Sequence, residues 1–248
     1  MRVALFVTCM NNAIYPRTGR AVVTVLERLG HEVVFPEPQT CCGQMHLNAG
    51  YRREGLALAS SVLSAFERAD AVVVPSGSCT MTMRELWADV ATDEGDHALA
   101  QRAREFAPRV YEFTELLVDV LGVTDVGARF EHRVAYHPTC HSLRAQRAGD
   151  RPLQLLRAVA GIELVELTRP ESCCGFGGLF SVKNPDTSAA MGADKVADVV
   201  RSGAAYLCAT DNSCLTHIGA VATHDEDPPP FRTIHLAEIL ASSGGSRP

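Results

Sequence analysis

The chain has 248 residues, 46% of them apolar and 21% charged, with a formal net charge of −6. That length and apolar share suffice to bury a full core in one domain or two lobes, and the acidic balance gives no footing for a nucleic-acid partner. No stretch approaches the roughly 18 apolar residues of a membrane span, and the first apolar run is too short for a secretory segment, so a cytoplasmic protein is expected, with any membrane association made through partners.

Residues 3–7 form a short apolar run that suits a buried strand, and Cys9 follows it. Residues 20–29 carry Ala21, Val22, Val25, Leu26 and Leu29 at helical spacing and stop at Gly30, a natural helix terminator. A strand is expected at 31–35, and Cys41, Cys42 and Gly43 follow a few residues later. A helix at 54–68 and a strand at 71–75 lead to Cys79. Gly122, Thr124, Asp125 and Gly127 then break the pattern across 122–132.

Beyond that junction the pattern repeats. A strand at 134–136 precedes Cys140, a helix is expected near 152–160, and a strand at 162–167 leads to Cys173, Cys174 and Gly175. A helix near 188–201 and a strand at 205–209 precede Cys214. A shift of 131 places Arg2-Val3-Ala4 on Arg133-Val134-Ala135 and Cys9 on Cys140, and a shift of 135 places Ser78-Cys79 on Ser213-Cys214. Near the ends, 113–117 matches 236–240 at a shift of 123. The expected fold is α/β: two pseudo-symmetric repeats, residues 1–125 and 126–248, each a mainly parallel sheet flanked by helices. In such sheets ligands collect beyond the carboxyl ends of strands, and every member of both cysteine groups sits there.

Eight of the nine cysteines thus form two equivalent sets: Cys9, Cys41, Cys42 and Cys79, and Cys140, Cys173, Cys174 and Cys214. Four thiolates are what a tetrahedral metal ion or an iron–sulfur cluster requires. Gly43 and Gly175 permit backbone conformations closed to other residues, which lets two consecutive thiolates point at one centre. A disulfide framework fits a small secreted domain better than this chain, and adjacent cysteines bridge only under strain. A structural zinc scaffold, and a thiol–disulfide enzyme using Cys41-Cys42 or Cys173-Cys174, remain open on these residues alone.

The other candidates read more modestly. Cys208 aligns with Val73 inside the third strand and suits a core residue. His46, His137, His141 and His217 lie near the cysteines in sequence, and a supporting hydrogen-bond role suits them better than direct ligation. Ser76 and Asp211, three residues before Cys79 and Cys214, read as turn residues. Gly177 and Gly178 offer backbone amides to cluster sulfurs or simply a tight turn. No nucleotide-binding or hydrolase motif is present, and no catalytic residue is identified.

The phrases Pro38-Gln-Thr-Cys-Cys-Gly-Gln44, Pro75-Ser-Gly-Ser-Cys79, Tyr136-His-Pro-Thr-Cys-His141 and Ser213-Cys-Leu-Thr-His-Ile218 carry a resemblance over nearly the whole chain. They resemble the cysteine-rich CCG-domain iron–sulfur proteins, and within that group the lactate-utilization branch. The resemblance implies an iron–sulfur electron-transfer component of a multi-subunit L-lactate oxidation system, hence an oxidoreductase subunit. It implies one cluster per repeat, held by the two cysteine sets, and as partners a ferredoxin-like iron–sulfur subunit and a third lactate-utilization subunit. The fuller family pattern ends each repeat in Cys-x-x-Cys, whereas Ser76 and Asp211 stand at the leading positions here. Four ligands per set then suit an ordinary [4Fe–4S] cluster better than a five-cysteine cluster, and heterodisulfide-reductase-like thiol–disulfide chemistry becomes the less favoured alternative.

Overall fold

The chain starts on an edge-to-core pattern: Arg2 is exposed, while Val3, Ala4 and Leu5 are buried. The computed structural model describes residues 1–223 and 231–243, divided into two compact units, Met1–Leu116 and Leu117–Pro248. The first contains β1 (Arg2–Leu5), α1 (Cys9–Ala13), α2 (Pro16–Arg28), β2 (Glu32–Val34), α3 (Gln44–Asn48), α4 (Arg52–Ala65), β3 (Val72–Val74) and α5 (Gly77–Met81). After a π-helical turn at Thr82–Leu86 come α6 (Trp87–Asp93), α7 (His97–Phe106), β4 (Val110–Glu112) and α8 (Phe113–Glu115). The second contains β5 (Arg133–Tyr136), a π-helical turn at His141–Ala145, α9 (Arg151–Arg157), β6 (Glu163–Val165), α10 (Leu179–Lys183), α11 (Pro185–Ser202), β7 (Tyr206–Ala209), α12 (Asn212–Ala222), β8 (Arg232–His235) and α13 (Leu236–Ala241).

Each unit forms a four-stranded, all-parallel sheet, ordered β2-β1-β3-β4 and β6-β5-β7-β8. The two agree in register: Arg2 faces Glu32, and Arg133 faces Glu163. The pseudo-symmetric α/β expectation is met, because both halves bury their strands on both faces, as parallel sheets require. In the first unit Ala4, Phe6, Val72 and Val74 pack with Leu63, Phe66, Trp87 and Phe106 from the helices on one side. On the other side α2 approaches so closely that a β-carbon on Gly19 would lie 2.7 Å from Cγ2 of Val7. Full burial of a side chain such as Phe66 or Phe106 contributes roughly 1.5–3 kcal/mol.

The strands β4 and β8 were not expected from sequence. Each spans only three or four residues, too short for a readable period, and β4 follows directly on a helical turn containing Pro108. Their shared geometry was visible only as the match of 113–117 to 236–240, which the structure resolves into α8 and the start of α13.

Glu112 closes β4 and caps α8. Its Oε2 accepts hydrogen bonds from the Thr114 amide at 2.8 Å and from the Thr114 hydroxyl, while the Glu115 carboxylate accepts from the Glu112 amide at 3.3 Å. Oε1 is buried without a partner. Burial pushes this carboxyl up from 4.5 to about 7, against the Thr114 hydrogen bonds that favour the anion. A folded value above the unfolded one means the stabilisation is complete below pH 4.5 and disappears as pH rises through about 7. In denaturant unfolding, the stability of the wild-type chain relative to Glu112→Gln is therefore expected to fall by on the order of 3 kcal/mol across that window, since groups common to both proteins cancel. An unchanged slope in the variant would show that Glu112 is not the titrating group.

Candidate metal centres

Each sheet delivers its cysteines at the carboxyl ends of its three leading strands. Cys9 opens α1 just beyond β1, with Thr8 as the cap. Cys41 and Cys42 lie between β2 and α3, and Cys79 lies in α5 after β3. In the second unit Cys140 follows β5, Cys173 and Cys174 lie between β6 and α10, and Cys214 lies in α12 after β7. All eight are free thiols. Within each set exposure is graded: Cys9 is exposed and Cys41 half-buried, whereas Cys42 and Cys79 are buried. Cys140 and Cys173 are half-buried, and Cys174 and Cys214 buried.

The glycine of each Cys-Cys-Gly turn makes this convergence possible. Gly43 has φ 81° and Gly175 φ 92°, in the left-handed region that an L side chain rarely adopts. A β-carbon at Gly43 would lie 2.8 Å from the Gly55 carbonyl oxygen of α4, and at Gly175 2.5 Å from the Ser188 carbonyl oxygen of α11. The turned amides then donate to the first sulfur of each pair, Gly43 to Cys41 and Gly175 to Cys173, both at 3.4 Å.

The sulfurs form a contiguous chain. Cys9 Sγ lies 3.5 Å from Cys41 Sγ. Cys41 contacts Cys42, which contacts Cys79. The order Cys140, Cys173, Cys174, Cys214 repeats it. Hydrogen bonds from Cys42 and Cys9 hold Cys41 in the thiolate form, pulling it down to about 2. Those from Cys140 and Cys174 do the same for Cys173, also about 2. Cys9, Cys42, Cys140 and Cys174 are pushed well up, first because each donates to a neighbouring sulfur and then by burial. Four neighbouring sulfurs with no disulfide among them form a donor set suited to a metal ion or an iron–sulfur centre.

The sequence profile described as "CCG: Cysteine-rich domain" matches residues 3–84 and 134–219, one copy in each unit. The chain belongs to this cysteine-rich CCG-domain family. It is similar to proteins named lactate utilization protein A: 42% identical over 240 residues to that of Oceanobacillus iheyensis, covering 97% of this chain and 96% of the relative. The counterparts from an Exiguobacterium species (44%, 96% of each chain) and Bacillus pumilus (42%, 98% of this chain and 100% of the relative) are alike. Among solved structures, a hypothetical protein from Helicobacter pylori shares the fold, with a TM-score of 0.69 at 11% identity over 99% of this chain. The chain spans about half of that protein, 49% of its length.

Within the CCG-domain pattern, Ser76 and Asp211 are helix caps. Ser76 Oγ accepts from the Cys79 amide at 3.3 Å, and Asp211 Oδ1 accepts from the Ser213 amide at 3.1 Å and its hydroxyl at 2.7 Å. Cys208 sits inside β7, fully buried, in register with Ile234. Gly177 and Gly178 form the tight turn into α10, with the Gly177 carbonyl accepting from the Phe180 amide at 3.2 Å. The histidines separate by role. His46, on α3, lies near Cys41 and favours its thiolate. His217 Nε2 lies 3.2 Å from both the hydroxyl and the carbonyl oxygen of Ser188, whose hydroxyl donates to the Gly175 carbonyl at 2.8 Å, so it braces the turn. His141 begins the π-helical turn after Cys140. Among the described residues, His137 is the histidine that joins the sulfurs: its ring nitrogen and the Sγ atoms of Cys174 and Cys214 lie within 4.8 Å of one another. Burial, then the Lys195 ammonium, pulls His137 down to about 4, so the ring is neutral.

Several supports were invisible in sequence. The indole of Trp87 donates to the Cys42 carbonyl at 2.8 Å, from 45 residues away. Gln39 bridges the Val7 amide (3.1 Å) and the Leu5 carbonyl (2.8 Å), tying the loop before Cys41 to β1. In the second unit Lys195 Nζ donates to the carbonyls of Arg169 (2.8 Å) and Pro170 (3.1 Å), and Asp198 accepts from the amides of Thr168 (3.0 Å) and Arg169 (2.9 Å). Only the spacing of Lys195 and Asp198 on one helix face was readable, and such a pair normally faces solvent.

Two outcomes follow from this geometry. Gly43→Ala and Gly175→Ala are each expected to cost roughly 1–3 kcal/mol through backbone strain. Gly175→Ala should be the worse, because its β-carbon meets backbone more closely, and equal denaturation midpoints would contradict that ranking. Because metal loading must expel protons from Cys9, Cys42, Cys140 and Cys174, affinity should rise with pH and binding should release protons. Titration of Zn2+ into weakly buffered apoprotein with a pH indicator checks this, and proton-neutral binding would refute it.

Proposed function

We propose that this chain is the iron–sulfur electron-transfer subunit of a multi-subunit L-lactate oxidation system, accepting and passing on electrons as lactate becomes pyruvate. One observation carries the reading. Two equivalent four-thiol sets occur in a CCG-domain chain that its relatives named lactate utilization protein A match over nearly their full length. Cys9, Cys41, Cys42 and Cys79 would hold one [4Fe–4S] cluster, and Cys140, Cys173, Cys174 and Cys214 the other. Such a cluster supplies reversible electron uptake at a potential set by its surroundings. The chain's own part is to hold, orient and insulate it. The graded burial of each set turns one side toward solvent, where the redox group of a partner can approach. The partners proposed are a ferredoxin-like iron–sulfur subunit and a third lactate-utilization subunit. With Ser76 and Asp211 occupied as caps, four ligands per set are favoured over five, and thiol–disulfide chemistry of the heterodisulfide-reductase type has less support.

A second reading, a structural zinc subunit, draws on one distance. Four thiolates at 2.3 Å from a single ion are about 3.8 Å apart, close to the 3.5 Å between Cys9 and Cys41. The two readings part on metal content. Anaerobic protein reconstituted with iron and sulfide is expected to bind two clusters and to give reducible EPR signals, one lost in Cys42→Ser and the other in Cys174→Ser. Stoichiometric zinc with no reducible signal would instead establish the scaffold.

A further inference from the structure

The two halves differ at one buried position beside the thiols. Phe6 and His137 occupy the same place in the fold: the Phe6 amide donates to the Val73 carbonyl at 3.0 Å, and the His137 amide to the Cys208 carbonyl at 2.8 Å. Both side chains are 0% exposed. Phe6 is satisfied there, packed edge-to-face on Phe66 with ring centroids 5.8 Å apart. His137 completes no hydrogen bond at either ring nitrogen. The Pro170 carbonyl beside the ring favours a proton on it without closing a good bond. A buried polar ring left unpaired is unfavourable, and the first unit shows that the fold accepts an apolar ring at this position. The imidazole is therefore better explained by a ligand than by packing.

We propose that His137 is a ligand of the second centre, which makes it a mixed imidazole–thiolate site, while the first centre is thiolate alone. The donor atoms of His137, Cys174 and Cys214 lie within 4.8 Å of one another, so one metal ion can touch all three after small side-chain movements. The Pro170 carbonyl beside the ring belongs to a segment held by α11. Lys195 and Asp198 clamp residues 168–170 through four hydrogen bonds, and ligating histidines are commonly positioned by a backbone carbonyl of this kind. With four ligands kept, His137 takes the place of one of the four thiolates, and at an iron–sulfur centre that replacement raises the reduction potential, so the second centre would be the more readily reduced of the two. This inference rests on the reading of the cysteine sets as metal centres, but not on which metal they hold.

Co2+ alone tests it, because it needs only the donor set. The full-length apoprotein carrying Cys9→Ser and Cys41→Ser, which disable the first set, is loaded with Co2+ and examined by X-ray absorption. Sulfur ligation accompanied by imidazole-ring scattering is expected. His137→Phe, which copies the first unit, and His137→Asn, which keeps a polar group, should each abolish that scattering and weaken Co2+ binding by more than roughly tenfold. Because His137 belongs to the second unit, an unchanged circular-dichroism spectrum and cooperative unfolding of that unit in the His137 variants show that it is folded. Sulfur-only ligation, a spectrum unchanged by both substitutions, or no Co2+ bound by the second set would overturn the proposal. The iron–sulfur reading stands or falls separately, on iron and sulfide content after reconstitution.

Discussion

The left-handed glycine seated against a helix backbone is the constraint on which both centres depend. Consecutive residues of an extended chain point to opposite sides, so two adjacent cysteines would ordinarily diverge. Positive φ at Gly43 and Gly175 turns the chain immediately after the pair and aims an amide back at the first sulfur. The turn holds because Gly55 of α4 and Ser188 of α11 leave no room for a β-carbon. The parallel sheet then supplies the remaining two thiols, since every strand of such a sheet ends on the same edge.

Around this shared turn the halves have diverged in how they hold it. The first relies on apolar packing and neutral groups: Trp87, stacked on Phe106, reaches the Cys42 carbonyl, and Gln39 stitches the loop to β1. It also tolerates Thr8 at φ 67°, a β-branched residue in a disfavoured region directly before Cys9. The second uses buried charge and polar side chains, with Lys195 and Asp198 on α11, and Ser188 with His217 on the turn. A buried ammonium and carboxylate are retained only where their hydrogen bonds are filled, and here both bond backbone groups leading into Cys173, Asp198 pairing with Arg201 as well. The environments of the two centres thus differ in polarity although their thiols match.

How much of this could be read beforehand depended on distance along the chain. The strands expected at 31–35 and 71–75 appear as Glu32–Val34 and Val72–Val74, and the helix expected near 188–201 as Pro185–Ser202. Their apolar periods are local properties. The helix His97–Phe106 carried a readable stripe in Leu99, Ala100, Ala103 and Phe106, yet lay outside the repeat that organised the reading. The turn role of Ser76 and Asp211 was legible because a capping side chain acts within its own turn.

By itself the sequence determined the number of thiols, their division into two sets, the parallel α/β class of each half and the special backbone at Gly43 and Gly175, because each of these is written in spacing and residue type. Tertiary structure alone decided what surrounds the thiols. It brought Trp87 to Cys42, folded Lys195 over the loop before Cys173, left His137 beside Cys174 and Cys214, and sent His217 to Ser188 instead. Those neighbours are set by the packing of helices onto the sheet, between residues tens of positions apart, and no local pattern encodes which side chain fills the space behind a given sulfur.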